Sequence, residues 1–239
     1  MKRFVFLLVA IFAFCFSSTV FAQNGETSRQ LVPESELICL KPPAICAKDK
    51  VDIVYIMDKS GSMSGLEKDV VGAYNSFIKE HLEIKEKKIK ISTIFFDHGY
   101  EAVFVNEDLD NARLRDGQYR PSGMTALLDA FGRAIATQDL RLKNLPQEAR
   151  PCKVIFVIAT DGEENSSREY SAREIHRLVS ARQELGWEFL FFGANIDAFA
   201  VGQNYGIRRD NIEEFKATGG GVRNMAPRAA AKTKAIIEK

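Results

Sequence analysis

The segment KVIFVIA, residues 153–159, is apolar at every position after its first. A strand with one wet face alternates apolar and polar side chains, so a short unbroken run points to a strand buried on both faces, as in a parallel sheet. VDIVYIM at 51–57 and WEFLFFG at 187–193 have the same character with one acid each. Helical periods lie between them. Leu66, Val70, Ala73, Tyr74, Phe77 and Ile78 recur at three- and four-residue steps, as do Leu127, Ala130, Phe131, Ala134 and Ile135. A helix over about 171–185 opens with the capping-box pattern Ser171-x-x-Glu174. KIKISTIFF at 88–96 and YEAVFV at 100–105 flank Asp97-His98-Gly99, which predicts an antiparallel hairpin. A short helix near 197–205, a strand around 213–217 and a terminal helix complete the pattern. Gly219-Gly220-Gly221 lacks the lysine of a phosphate-binding loop and reads as a hinge. The alternation predicts an α/β fold: a doubly wound, mostly parallel sheet with one antiparallel edge strand, covered by helices on both faces through right-handed crossovers.

The first 22 residues read as a cleaved secretory signal peptide. Lys2 and Arg3 precede an apolar run from Phe4 to Phe16, and Val20-Phe21-Ala22 offers a cleavage site before Gln23. The run is short of the ~20 apolar residues of a membrane span, and no later segment supplies one. A secreted or periplasmic protein is expected, with no membrane span in the mature chain. Cleavage takes the formal net charge from +1 to −1, since Lys2 and Arg3 leave and no acid does. That balance gives no electrostatic case for nucleic acid. Residues 23–50 read as a polar lead-in containing CLKPPAIC, and residues 218–239 as the hinge and terminal helix. Three cysteines remain at 39, 46 and 152, without a CxxC spacing, and the histidines at 81, 98 and 176 are scattered, which argues against zinc.

Ligands of doubly wound sheets bind beyond the carboxyl ends of the strands, where the strand order reverses. Three oxygen-rich turns follow predicted strands or enter helices: DKSGSMSG at 58–65, SGMTALLD at 122–129 and ATDGEENSS at 159–167. Asp58-x-Ser60-x-Ser62, with Thr125 and with Asp161 in TDG, resembles the metal-ion-dependent adhesion site (MIDAS) of von Willebrand factor A domains. The resemblance covers residues 51–217 in element order, and FDHGYE, MTALLDA, TDGEENSSREY and GWEFLFFGANIDA are similar to the bacterial stand-alone members of that family. It implies a site for Mg²⁺, or Mn²⁺ or Ca²⁺, formed by Asp58, Ser60, Ser62, Thr125 and Asp161. Oxygen ligands suit such hard cations. It also implies that the strands ending at Met57 and Ala159 are neighbours, ~4.8 Å apart, and that the two acids act largely through water. A protein partner presenting an Asp or Glu would then complete the cation's shell.

Each turn also has a plainer reading. Ser62 or Ser64 can cap the helix containing Leu66, and Thr125 the next one. Asp97, His98, Glu163 and Asn195 are rim candidates for partner contact, against a hairpin turn, a solvated acidic loop and a local turn cap respectively. Glu163 and Glu164 could also form a second cation site. The alternative function is a metal-dependent hydrolase or phosphatase. GSMSG has Met63 where a nucleophile elbow needs serine, and a phosphoryl-acceptor role for Asp58 would need a second aspartate where Ser60 stands, so a non-enzymatic binding module is the expectation. For the cysteines, Cys39 and Cys46 flank a loop short enough to close and are the preferred pair, with Cys46 and Cys152 left open because they precede two strands expected to be adjacent.

Overall fold

A computed structural model of the protein describes residues 46–239; the expected signal peptide, most of the expected lead-in and Cys39 lie outside the described residues. The elements are β1 (Ala47–Asp58), α1 (Glu67–Leu82), β2 (Lys88–Phe96), β3 (Tyr100–Asp108), α2 (Leu127–Asn144), β4 (Pro151–Thr160), α3 (Ala172–Glu184), β5 (Glu188–Gly193), α4 (Ala198–Asn204), β6 (Ile212–Glu214) and α5 (Gly219–Glu238). The sheet order is β3-β2-β1-β4-β5-β6. Only the β2–β3 pair is antiparallel.

Strand periodicity divides the apolar runs between two cores. Val54 and Ile56 of β1, with Val154, Phe156 and Ile158 of β4, face α2, α3 and α4. Ile53, Tyr55 and Met57, with Ile155, Val157 and Ala159, face α1 and α5. Successive side chains point to opposite faces, which is why neither strand tolerates a polar alternation. The capping box at Ser171 forms as its spacing implies. At the hairpin, the Gly99 N–H donates to Asp97 Oδ1 at 2.6 Å, and β3 is an edge strand with a half-exposed pattern.

Two expectations are overturned here. Gly219-Gly220-Gly221 is not a hinge but the first turn of α5, capped by Thr218, whose Oγ1 accepts from the Gly221 N–H at 3.1 Å. A side chain at Gly221 would place its Cβ 2.0 Å from the Lys216 carbonyl oxygen, so close backbone approach is what calls for glycine. α5 belongs to the domain: Val222, Met225, Ala226, Ala229 and Ala230 are buried, and Lys234 reaches Glu80 of α1 at 3.0 Å. The disulfide is Cys46–Cys152, with a Cα separation of 5.2 Å, and not Cys39–Cys46. β1 begins at Ala47, earlier than the apolar run suggests, and Ala47 pairs with Pro151, which brings the two cysteines side by side.

Candidate metal site

β1 and β4 are adjacent and parallel, with Met57 opposite Ala159, and the chain leaves β1 toward β2 on one side and β4 lies on the other. The crevice at this reversal is where Asp58 and Asp161 emerge together. Asp58 is buried; its Oδ1 accepts from the Ser60 N–H at 2.7 Å and its Oδ2 from Thr160 Oγ1 at 2.6 Å. Ser60 Oγ and Ser62 Oγ lie 3.0 Å apart, and Ser62 Oγ donates to Asp161 Oδ1 at 2.7 Å. A Cβ built on Gly162 would sit 3.6 Å from Thr125 Oγ1 and 3.8 Å from Ser62 Oγ, so the third segment reaches the same spot. The five residues of the expected constellation are therefore brought together.

The plainer capping readings of these hydroxyls fail. α1 starts after Leu66 and α2 after Ala126, both without a side-chain cap. Instead Glu164 Oε2 accepts from the Leu128 N–H at 2.9 Å in the first turn of α2, and its other oxygen accepts from Ser166 and Ser167 N–H groups. Glu164 is thus occupied in holding backbone and does not form a second cation site with exposed Glu163.

Asp97 is likewise not a rim contact. It is buried, Oδ2 accepts from Ser122 Oγ at 3.0 Å, and the Ala126 N–H donates to its carbonyl at 2.7 Å. Burial acts to raise its carboxyl, but the Gly99 N–H, the Ser122 hydroxyl and the Lys59 ammonium outweigh it and hold Asp97 below the usual carboxylate range. Lys59 joins in from 3.7 Å and bridges to Glu101 at 2.9 Å. His98 is exposed against Gly123, which has φ +70° and no room for a side chain beneath the imidazole. Asn195 is exposed with φ 55°, and Met124, unremarked in the sequence, is 54% exposed one residue from Thr125.

Sequence reasoning also missed Thr160 and Tyr119, whose hydroxyls donate to the Asp58 side chain and carbonyl respectively. A threonine ending an apolar strand was the available signal for the first; nothing local marks the second.

Burial pushes the Asp58 carboxyl up, with the Ser60 and Thr160 hydrogen bonds opposing and the Asp161 charge adding to it. Burial likewise raises Asp161, against its bond from Ser62. No lysine or arginine among the described residues forms an ion pair with either acid. Two buried carboxylates beside three hydroxyls make a set of hard oxygen donors that lacks a positive charge, and a divalent cation fits it. Among the described residues there is no cluster of three or more His, Cys, Asp or Glu side chains suited to a metal, so a cation here would depend on the hydroxyls.

No protein-family model and no curated protein matches the chain. Solved structures match in fold. The manganese-loaded TRAP protein of Plasmodium vivax superposes with a TM-score of 0.57 at 18% identity over 80% of this chain and 74% of that one. The vWF domain of the type V pili tip protein Mfa5 from Porphyromonas gingivalis gives 0.55 at 10% identity, covering 81% and 98%. Proximal thread matrix protein 1 of the mussel byssus gives 0.53 at 13%, covering 77% of this chain and 46% of its own length. The described residues thus have the α/β, Rossmann-like fold of von Willebrand factor A domains. The chain spans less than half of the mussel protein, and at these identities the likeness is one of fold.

Proposed function

We propose that the protein is a secreted or periplasmic binding module that holds a divalent cation, Mg²⁺ or else Mn²⁺ or Ca²⁺, and through it binds an Asp or Glu on a partner protein. The observation that carries this is the convergence of Ser60, Ser62, Thr125, Asp58 and Asp161 from three separate segments, with the Ser62–Asp161 bond at 2.7 Å tying two of them. Ser60, Ser62 and Thr125 would contribute uncharged hydroxyls, and Asp58 and Asp161 the compensating charge. The bound cation supplies the positive charge that a partner carboxylate would meet. The residues so placed would otherwise leave two buried acids uncompensated. The manganese carried by the TRAP protein and the pilus-tip origin of the Mfa5 domain support the reading by likeness.

Exposed His98, Met124, Glu163 and Asn195 lie on or beside the same loops and are the groups available to a partner's flanks. Among the described residues no helix is long and apolar enough to cross a membrane. The test is affinity capture from an extracytoplasmic fraction in Mg²⁺ and in chelator, with Asp58→Ala as control. A specific partner retained only with Mg²⁺ and only by the unaltered protein is expected. Turnover of phosphate or acyl esters in Mg²⁺, abolished by Asp58→Ala, would overturn the reading in favour of a hydrolase.

A further inference from the structure

The loop that carries Thr125 and the loop that follows Asp161 are fastened to each other by hydrogen bonds running in both directions. The Thr125 N–H donates to Asn165 Oδ1 at 2.9 Å, and the Thr125 carbonyl accepts from the Asn165 N–H at 3.0 Å. One asparagine therefore holds both backbone groups of one residue. From the later loop, Glu164 Oε2 reaches the Leu128 N–H of α2 at 2.9 Å while also accepting from Ser167 Oγ at 2.8 Å. From α2, Asp129 returns the contact: its Oδ2 accepts from the Arg168 N–H at 2.8 Å, and its Oδ1 from Glu169 and Tyr170 N–H groups at 2.8 and 2.9 Å. Ser167 Oγ also accepts from the Asp129 N–H at 3.1 Å.

We infer that Asn165, supported by Glu164 and Asp129, is a positioning residue for the cation site: the clasp sets where the Thr125 hydroxyl stands relative to Asp161 and Ser62. This rests on the cation reading above. The argument is one of leverage. Thr125 and Asp161 sit on different strand-to-helix connections, and the Ser62–Asp161 bond ties only the first and last segments. Among the described residues no hydrogen bond of the Thr125 side chain ties it to either; its loop meets the first segment through the Gly61 N–H and the Gly123 carbonyl at 3.1 Å, but Thr125's own N–H and carbonyl are held by Asn165, four residues beyond Asp161 in the same loop. A cation that draws oxygens from all three segments gains affinity when they are held in place beforehand, and loss of such outer partners typically weakens metal binding by about 10- to 100-fold. Asn165→Ala removes the Oδ1 acceptor and leaves its own N–H bond in place. Asn165→Asp keeps an acceptor oxygen at the same position.

The test is a Mn²⁺ titration of the full chain by calorimetry, with melting temperatures taken in chelator. Asn165→Ala should bind Mn²⁺ at least about tenfold more weakly and Asn165→Asp at least as tightly as the unaltered protein. Glu164→Gln, which keeps an acceptor but weakens the hold on α2, should fall between. A melting temperature lowered by Asn165→Ala with Mn²⁺ affinity unchanged would mean a structural staple and would overturn the inference, as would equal loss in the Ala and Asp variants. If Asn165→Ala fails to fold, Glu164→Gln decides by the same titration. Failure of the unaltered protein to bind Mn²⁺ would be a different result, removing the cation reading itself.

Discussion

Ser62 Oγ donates to Asp161 Oδ1 at 2.7 Å although the two residues are 99 positions apart. The contact exists because β1 and β4 run parallel in register, so that loops leaving their carboxyl ends start side by side. It also explains why the site is best probed by removing charge. Asp58 is buried with its carboxyl raised, so in chelator the ionised form works against the fold, and that penalty grows as pH rises from the ordinary carboxylate range through the raised value.

Asp58→Asn should therefore leave the chelated melting temperature unchanged or higher while abolishing the shift on adding Mg²⁺. The amide can be accommodated because Thr160 Oγ1, which donates to Asp58, also lies 3.2 Å from the Gly162 carbonyl and can turn its proton there. For the unaltered protein, Mg²⁺ at a hundred times its dissociation constant should add about 2.7 kcal/mol, on the order of 5–10 °C for a domain of this size. Scanning calorimetry with and without chelator measures both. A chelated Asp58→Asn protein that melts far below the unaltered one would contradict the account.

His81 should make the protein acid-sensitive. It is fully buried on α1, its ring tilted 36° against that of Phe77, with Nδ1 2.8 Å from the Phe77 carbonyl and Nε2 unpartnered among the described residues. Burial lowers its pKa from 6.5 to about 4, with the Phe77 carbonyl opposing. The unfolded chain then binds the proton more readily, so stability is full above pH 6.5 and falls as pH drops toward 4 by about 3 kcal/mol at most. In His81→Phe the stability lost between pH 6.5 and 4 should be smaller by a clear fraction of that. Urea midpoints at several pH values decide it.

The disulfide gives a third prediction. Cys46–Cys152 closes a separation of 106 residues at the end of the sheet opposite the candidate site. The Cys46→Ser/Cys152→Ser pair should lose about 2–4 kcal/mol of stability yet keep Mg²⁺ affinity within twofold. Peptide mapping without reductant should recover the 46–152 link; a 39–46 link would contradict it.

Buried Arg182 and Asp139 test the far core. Arg182 of α3 pairs with Asp139 of α2, both almost wholly inaccessible. Burial raises the Asp139 carboxyl, with Arg182 opposing. Removing one partner strands a charge, so Arg182→Ala should cost about 3–5 kcal/mol, whereas Arg182→Met with Asp139→Leu should cost much less. A double variant no better than the single would show that packing, not charge, sets the loss.

Much of this was legible in the residues because the physics is local: an unbroken apolar run has one environment, and Ser171-x-x-Glu174 one geometry. The grouping of the candidate site was legible because each proposed ligand stands at a strand end or helix entry. What stayed hidden was long-range. Lys48, Asp49 and Lys50 look like a solvated lead-in, yet their backbone extends β1 and brings Cys46 to Cys152. Three glycines read as flexibility, whereas they open a helix in which Gly221 stands against the Lys216 carbonyl and has no room for a side chain. Asp97 and Glu164 looked like surface acids because, besides the Gly99, Ser166 and Ser167 N–H groups of their own turns, the groups that hold them, the Ser122 hydroxyl and the Leu128 N–H, come from segments distant in sequence.

The last prediction concerns what the partner brings. Asp58 and Asp161 together can offset a divalent charge formally, but Ser60, Ser62 and Thr125 are neutral. A cation held largely by hydroxyls keeps much of its field directed outward. A hard cation gains more from an anionic oxygen than from a neutral one against the same dehydration cost. Capture should therefore require Mg²⁺ or Mn²⁺ and fail in folded Asp58→Ala, Ser60→Ala and Thr125→Ala proteins. With a partner in hand, its surface acids should be changed singly to amides. One such change is expected to reduce Mg²⁺-dependent affinity at least tenfold while leaving any residual binding in chelator unchanged. If every amide variant binds as before in Mg²⁺, the partner does not supply a carboxylate, even where the cation itself binds as proposed.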